Sequence, residues 1–237
     1  MCIRDRTRRV YVTMPIGVIF VRDDYIITVS QKNNDIIKDI KTENVITYKK
    51  SRFLLQILYA NSKKFLSLLY KINKELESTE NKLKNSLQNE GLLKMLDLEK
   101  SLVYFTTSLK SNEVVMEKTT RGKIIKLYEE DEDLLEDAII ENKQAIEMAK
   151  IYSDILSGTM DTYASIISNN LNAVMKILTS VTFILAIPTL IASIWGMNVE
   201  LPFQREPLGF LIITVFSIIM CIVATISVSY THLTLPT

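Results

Sequence analysis

The stretch YASIISNNLNAVMKILTSVTFILAIPTLIASIWGMN, residues 163–198, decides the fold. The 23 residues from Ile177 to Val199 carry no Asp, Glu, Lys or Arg, and Ile177 to Trp195 is about one bilayer long. A second apolar run spans Leu208 to Val228, and the 31 residues from Pro207 to Thr237 carry no such charge. The link between the runs, 196–207, is too short for a domain. The pair reads as a transmembrane hairpin, which rules out a single water-soluble globule.

Within this stretch, positions 161, 164, 168, 172, 175, 179, 182, 186, 189 and 193 step by three or four and share one slowly drifting helix face. They hold Asp161, Ala164, Ser168, Asn172, Met175, Thr179, Thr182, Ala186, Thr189 and Ser193; only Met175 is neither small nor polar. Their neighbours Ile177, Leu178, Val181, Phe183, Ile184, Leu185, Leu190 and Ile191 are bulky and apolar. Such a face lines a watery path or, alternatively, packs against another helix, where small and hydroxylated residues are also common. Asn172 and Asp161 continue it outside the apolar run, which favours the path. A two-span subunit cannot enclose a path alone, so several copies must surround an axis and turn each residue into a ring. Hydroxyl, amide and carbonyl oxygens suit a cation that keeps its water shell, as Mg²⁺ does.

Working toward the N-terminus, the helical pattern extends back to Tyr128. A helix over 128–195 would have 68 residues and a length of roughly 100 Å at about 1.5 Å per residue. Residues 128–176 form its stalk and 177–195 the first span. Leu135, Ala138, Asn142, Ala145, Ala149, Tyr152, Leu156 and Tyr163 recur at a spacing that suits packing on neighbouring helices. Earlier helices are predicted at about 50–85 and 92–118, parted near Asn89-Glu90-Gly91. Residues 10–31 read as strands, with a turn at Arg22-Asp23-Asp24 suggesting a hairpin. Residues 1–127 are thus a partial α/β domain. Lys143, Lys150 and Lys176 precede the first span, whereas the loop holds Arg205 with Glu200 and Glu206; the positive-inside rule puts both termini in the cytoplasm and the loop outside.

Composition excludes several classes. There are 28 basic and 27 acidic side chains, giving no reason to expect a nucleic-acid partner. One histidine, His232, and two cysteines, Cys2 and Cys221, argue against a His-based metal site, a His-containing triad or a disulfide-stapled fold. No Gly-x-x-x-x-Gly-Lys-Ser/Thr motif occurs, and the charged N-terminus does not read as a signal peptide. The chain is not expected to be an enzyme or to need an organic cofactor.

The segment from Tyr163 to Thr179, then Ile187-Pro188-Thr189 and Trp195-Gly196-Met197-Asn198, closely resembles CorA-type magnesium transporters over about residues 130–228. The resemblance implies a funnel-shaped homopentamer in the cell (inner or plasma) membrane, with a pore along the first span. It implies hydrated Mg²⁺ held at Gly196, Met197 and Asn198, the last through the ion's waters. It places Asp161, Asn172 and Thr189 on pore positions and Met175 and Leu178 near a hydrophobic gate. Ser168, Thr179, Thr182 and Ser193 complete the pore lining read from the stripe, and Glu200 falls at the entrance. Seven acids crowd the nine residues 129–137. They read as a solvated helix start favoured by the helix dipole; the resemblance instead implies a regulatory Mg²⁺ at Asp137, bridging subunits and holding the pore shut.

Residues 1–6 and 229–237 read as foreign sequence joined to a truncated chain, because the family's C-terminal basic cluster is missing and the α/β domain begins partway through. The expected architecture is an α-helical membrane protein with a partial N-terminal cytoplasmic α/β domain, a stalk helix continuous with the first span, and spans at 177–195 and 208–228. The expected activity is Mg²⁺ influx gated by cytosolic Mg²⁺. Rivals are a Zn²⁺, Co²⁺ or Ni²⁺ transporter of the same architecture and a non-transporting, membrane-anchored coiled-coil scaffold.

Overall fold

The computed structural model describes residues 2–4, 10–21, 25–32, 36, 37, 40, 49–85, 89–122, 125, 127–198 and 207–233. The strands are β1 (Cys2–Arg4), β2 (Tyr11–Thr13), β3 (Ile16–Val21) and β4 (Tyr25–Ser30). The helices, in chain order, are α1 (Lys50–Asn85), α2 (Asn89–Thr120), α3 (Glu129–Trp195) and α4 (Gly209–Leu233). They form two compact units, Met1–Asp161 and Thr162–Thr237, and α3 contributes to both.

In the first unit α1 and α2 pack antiparallel, as Phe65 against Phe105 at 5.1 Å and the clustering of Leu54 and Leu58 with Met116 require. The α1 stripe read from the sequence is buried at Leu54, Ile57, Leu58, Phe65, Leu66, Leu69, Ile72 and Leu76, with Phe53 half-buried. The first half of α3 closes this core through Leu135 and Ala138. Its predicted contact stripe is buried throughout, apart from a half-buried Tyr152. Burial, with Tyr70 and Glu77 nearby, raises the Tyr152 phenol above its ordinary pKa.

The strands make two antiparallel pairs. β3 and β4 form the predicted hairpin, registered from Ile16 opposite Ser30 to Val21 opposite Tyr25; its turn lies outside the described residues. Ile16, Val18 and Phe20 face the helices, while Ile19, Val21, Tyr25, Ile27 and Val29 are exposed. β1 pairs with β2 from Cys2 opposite Thr13 to Arg4 opposite Tyr11, a strand the sequence pattern did not suggest. β2 is tied to α2 where the Tyr11 amide donates to Ser101 Oγ at 3.0 Å and Ser108 Oγ donates to Thr13 Oγ1 at 2.7 Å.

Two predicted boundaries shift. Asn89, Glu90 and Gly91 are not a linker but the first turn of α2. Gly91 is there for contact, since a Cβ on it would lie 2.6 Å from Leu83 Cδ2. The residue that does use glycine's conformational freedom is Gly122, at φ 64°, just past the end of α2. At the C-terminus α4 continues to Leu233 rather than stopping at Val228.

Candidate functional site

Among the described residues two helices, α3 and α4, are long and apolar enough to cross a membrane. Along the apolar end of α3 the half-buried positions are Ser180, Ile184, Ile187, Pro188, Ile191 and Trp195. These turn toward α4. Cys221 Sγ lies 3.4 Å from the Ile184 carbonyl, and Ile191, Ile194 and Trp195 line an apolar crevice with Ile212, Ile213 and Phe216.

All ten positions of the polar stripe are exposed, from Asp161 to Ser193. At about 100° per residue, Thr182, Ala186, Thr189 and Ser193 point roughly 140–180° away from Ile184. Within one chain the stripe therefore does not serve α3–α4 packing. Met175 and Leu178 are likewise exposed.

The stripe's hydroxyls have a defined polarity. Thr182 Oγ1 donates to the Leu178 carbonyl and Thr189 Oγ1 to the Leu185 carbonyl, each at 2.8 Å. A threonine that spends its proton on its own helix presents oxygen lone pairs outward. Such a face can accept hydrogen bonds from water.

At the end of α3, Gly196 N–H donates to Ala192 at 2.9 Å and Met197 N–H to Ile194 at 3.2 Å, so the helix tightens as it stops. Gly196 ends α3 without a left-handed backbone, since among the described glycines only Gly122 has a positive φ. What Gly196 avoids is crowding: a Cβ there would stand 3.3 Å from the Ala192 carbonyl oxygen. Gly196, Met197 and Asn198 are exposed, and Glu200 lies outside the described residues.

At the opposite end of α3 the acidic run is divided. Lys49 pairs with Glu130, and Arg52 Nη1 donates at 3.0 Å both to Asp131 Oδ1 and to the Glu130 carbonyl. The hydrogen bond and charge of Lys49 hold the Glu130 carboxyl below its ordinary pKa. Glu129, Glu132, Asp133, Glu136 and Asp137 are exposed. Among the described residues no three His, Cys, Asp or Glu side chains of one chain converge on a metal position. The sequence reading missed the Arg52–Asp131 and Cys221–Ile184 contacts. A proline inside an apolar helix was the one available hint of the second.

The sequence model of the family described as CorA-like Mg²⁺ transporter protein matches residues 4–229. The chain is 31% identical over 216 residues to the cobalt/magnesium transport protein CorA of Methanocaldococcus jannaschii, covering 86% of this chain and 67% of that one. It is 34% identical over 144 residues to the protein of the same name from Thermotoga maritima, covering 56% of this chain and 40% of the relative. Among solved structures, the complete CorA magnesium transporter of M. jannaschii superposes with a TM-score of 0.69 at 28% identity, over 90% of this chain and 74% of that one. The soluble domain of the same archaeal CorA gives a TM-score of 0.51 at 25% identity, over 68% of this chain and 71% of that one. With the two apolar helices, the exposed polar face and a family match over nearly the whole length, the chain belongs to the CorA-like Mg²⁺ transporter protein family.

Proposed function

We propose that this chain is one subunit of a homopentameric channel that passes Mg²⁺ into the cytoplasm. The observation that carries this reading is the polar face of α3, exposed at every position and turned away from α4. Five such faces around an axis would make rings of Asp161, Ser168, Asn172, Thr179, Thr182, Thr189 and Ser193, with Met175 and Leu178 as the apolar constriction. Asn198 would orient waters on the entering ion, and Glu200 would raise the local cation concentration. Membrane potential drives entry. A divalent ion gains about 4.6 kcal/mol per 100 mV, from about 2.3 for each charge.

Cytosolic Mg²⁺ at Asp137 and acids of a neighbouring copy would hold the closed state. Within one chain Asp137 is exposed on the first turns of α3, which leaves it available to a partner subunit. The large first unit and both termini would face the cytoplasm. The relatives' name, cobalt/magnesium transport protein, supports Co²⁺ as a second permeant ion.

The test is divalent flux into liposomes reconstituted with the chain, beside Asn198→Ala and Asp161→Ala. Asn198→Ala is expected to cut Mg²⁺ flux by at least about tenfold with the oligomer intact. Unchanged flux would remove Asn198 from the filter. No flux of any divalent ion through the wild-type chain would favour the scaffold reading.

A further inference from the structure

Pro188 stands inside α3 and has no amide hydrogen, so the Ile184 carbonyl lacks the donor four residues ahead that its neighbours have. In the hydrocarbon of a bilayer no water takes its place, and a freed carbonyl must find a partner on a neighbouring helix. The partner present is the thiol of Cys221 on α4, whose Sγ lies 3.4 Å from the Ile184 oxygen. Cys221 is a half-buried free thiol, a weak donor that suits an apolar setting.

The place of this contact along α3 gives it a consequence. Thr189 follows Pro188 directly and sits exposed on the polar face, its Oγ1 bonded to the Leu185 carbonyl at 2.8 Å. Seven residues beyond Pro188 comes Trp195, and then Gly196-Met197-Asn198. The segment carrying Thr189 and leading to Asn198 therefore starts where the helix's own hydrogen-bond ladder is interrupted.

We propose that Cys221 is a positioning residue for the transport path: its thiol replaces the amide hydrogen Pro188 lacks, and so fixes the segment from Thr189 to Asn198 against α4. The proposal rests on the transport reading above. Losing the thiol leaves the Ile184 carbonyl without its partner, and the helix readjusts just before the residues that meet the ion. Restoring an amide at position 188 makes the thiol unnecessary.

The experiment is a double-mutant cycle on the reconstituted chain, reading the Mg²⁺ concentration for half-maximal flux beside the maximal flux and the oligomeric state. Cys221→Ala is expected to raise the half-saturating concentration about threefold or more at similar maximal flux, while Cys221→Ser, which keeps a donor, stays within about twofold of wild type. In a Pro188→Ala background, Cys221→Ala should add no further shift. An equal shift in both backgrounds would mean that side-chain volume, not the thiol bond, is what matters, and would overturn the proposal. So would the absence of any shift.

If Cys221→Ala does not assemble, the infrared S–H band decides, taken as the difference between the chain and Cys221→Ser so that Cys2 cancels. A hydrogen-bonded band that becomes that of a free thiol in Pro188→Ala is the expected result; a free-thiol band in the unaltered chain overturns the proposal. Flux with a free-thiol band removes the thiol contact and leaves the transport reading standing. A bonded band without flux of any divalent ion does the reverse, and ends the role in transport assigned to Cys221.

Discussion

Arg52, in the first turn of α1, reaches Asp131, in the first turn of α3, at 3.0 Å, and the aspartate side chain is 1% exposed. The same Nη1 holds the Glu130 carbonyl, while Arg52 Nε and Asp131 Oδ2 are buried without partners. A buried pair with only one oxygen engaged recovers little of its desolvation cost, yet breaking it strands a charge. Arg52→Met should therefore destabilise the first unit by about 3–5 kcal/mol. Arg52→Met with Asp131→Leu should recover most of that loss. Thermal unfolding of the chain in detergent checks the order: the single variant melts lowest, and the double lies near wild type.

The neighbouring pair predicts a pH dependence. Lys49 lowers the Glu130 pKa in the folded state, first through its hydrogen bond and then through its charge. A depressed carboxyl pKa contributes stability that is present above the unfolded value, 4.5, and lost as pH falls through the lower folded value. Hydrogen exchange in the first turn of α3 should therefore accelerate as pH falls below that range, once the intrinsic pH effect is removed. Lys49→Met should flatten the dependence. Glu130 is fully exposed, so the effect is confined to this turn and shrinks with salt.

Gly91 predicts an overpacking penalty. A Cβ at this position would lie 2.6 Å from Leu83 Cδ2 and 2.9 Å from Cγ, and Leu83 is itself 2% exposed, with little room to yield. Gly91→Ala should gain about 1 kcal/mol of helix propensity and lose about 1–3 kcal/mol to strain, for a net destabilisation. Adding Leu83→Ala to Gly91→Ala removes the clash, so the double variant should cost less than the sum of the two single changes. Melting midpoints of the four proteins measure that coupling.

The fate of Gly91 illustrates what was legible in this sequence. Helices α1, α2 and α3 were readable because their apolar recurrence depends on residues within a few turns of one another. The contact stripe from Leu135 to Tyr163 is accordingly buried or half-buried at every position. Whether a glycine near a helix start breaks the helix or admits a neighbour depends on a second residue, here Leu83, which no local pattern names. Composition could show that seven acids crowd residues 129–137, but not that Arg52, 79 residues before Asp131, would neutralise one of them. The helix was readable straight through Pro188, but the contact of Cys221, 33 residues later, with the Ile184 carbonyl was not, for the same reason. The polar face could be read because periodicity alone defines it; its opposition to α4 required the second helix.

That opposition gives the most direct separation of path from packing. Thr182, Thr189 and Thr214 each donate to the carbonyl four residues back at 2.8 Å, and all three are exposed. Their local chemistry is alike, but only Thr182 and Thr189 lie on the polar face of α3. Thr→Val keeps the shape and replaces a lone-pair-bearing oxygen with a methyl group. If hydrated Mg²⁺ passes along that face, Thr182→Val and Thr189→Val remove water-accepting rings and should each slow flux by several-fold or more, about 1–2 kcal/mol of barrier at 1.4 kcal/mol per tenfold. Thr214→Val, on α4, should leave flux near wild type. Flux into liposomes, normalised to oligomer recovered, makes the comparison. Equal effects from all three would mean that valine acts through helix packing, and the polar face would lose its assignment as the ion path.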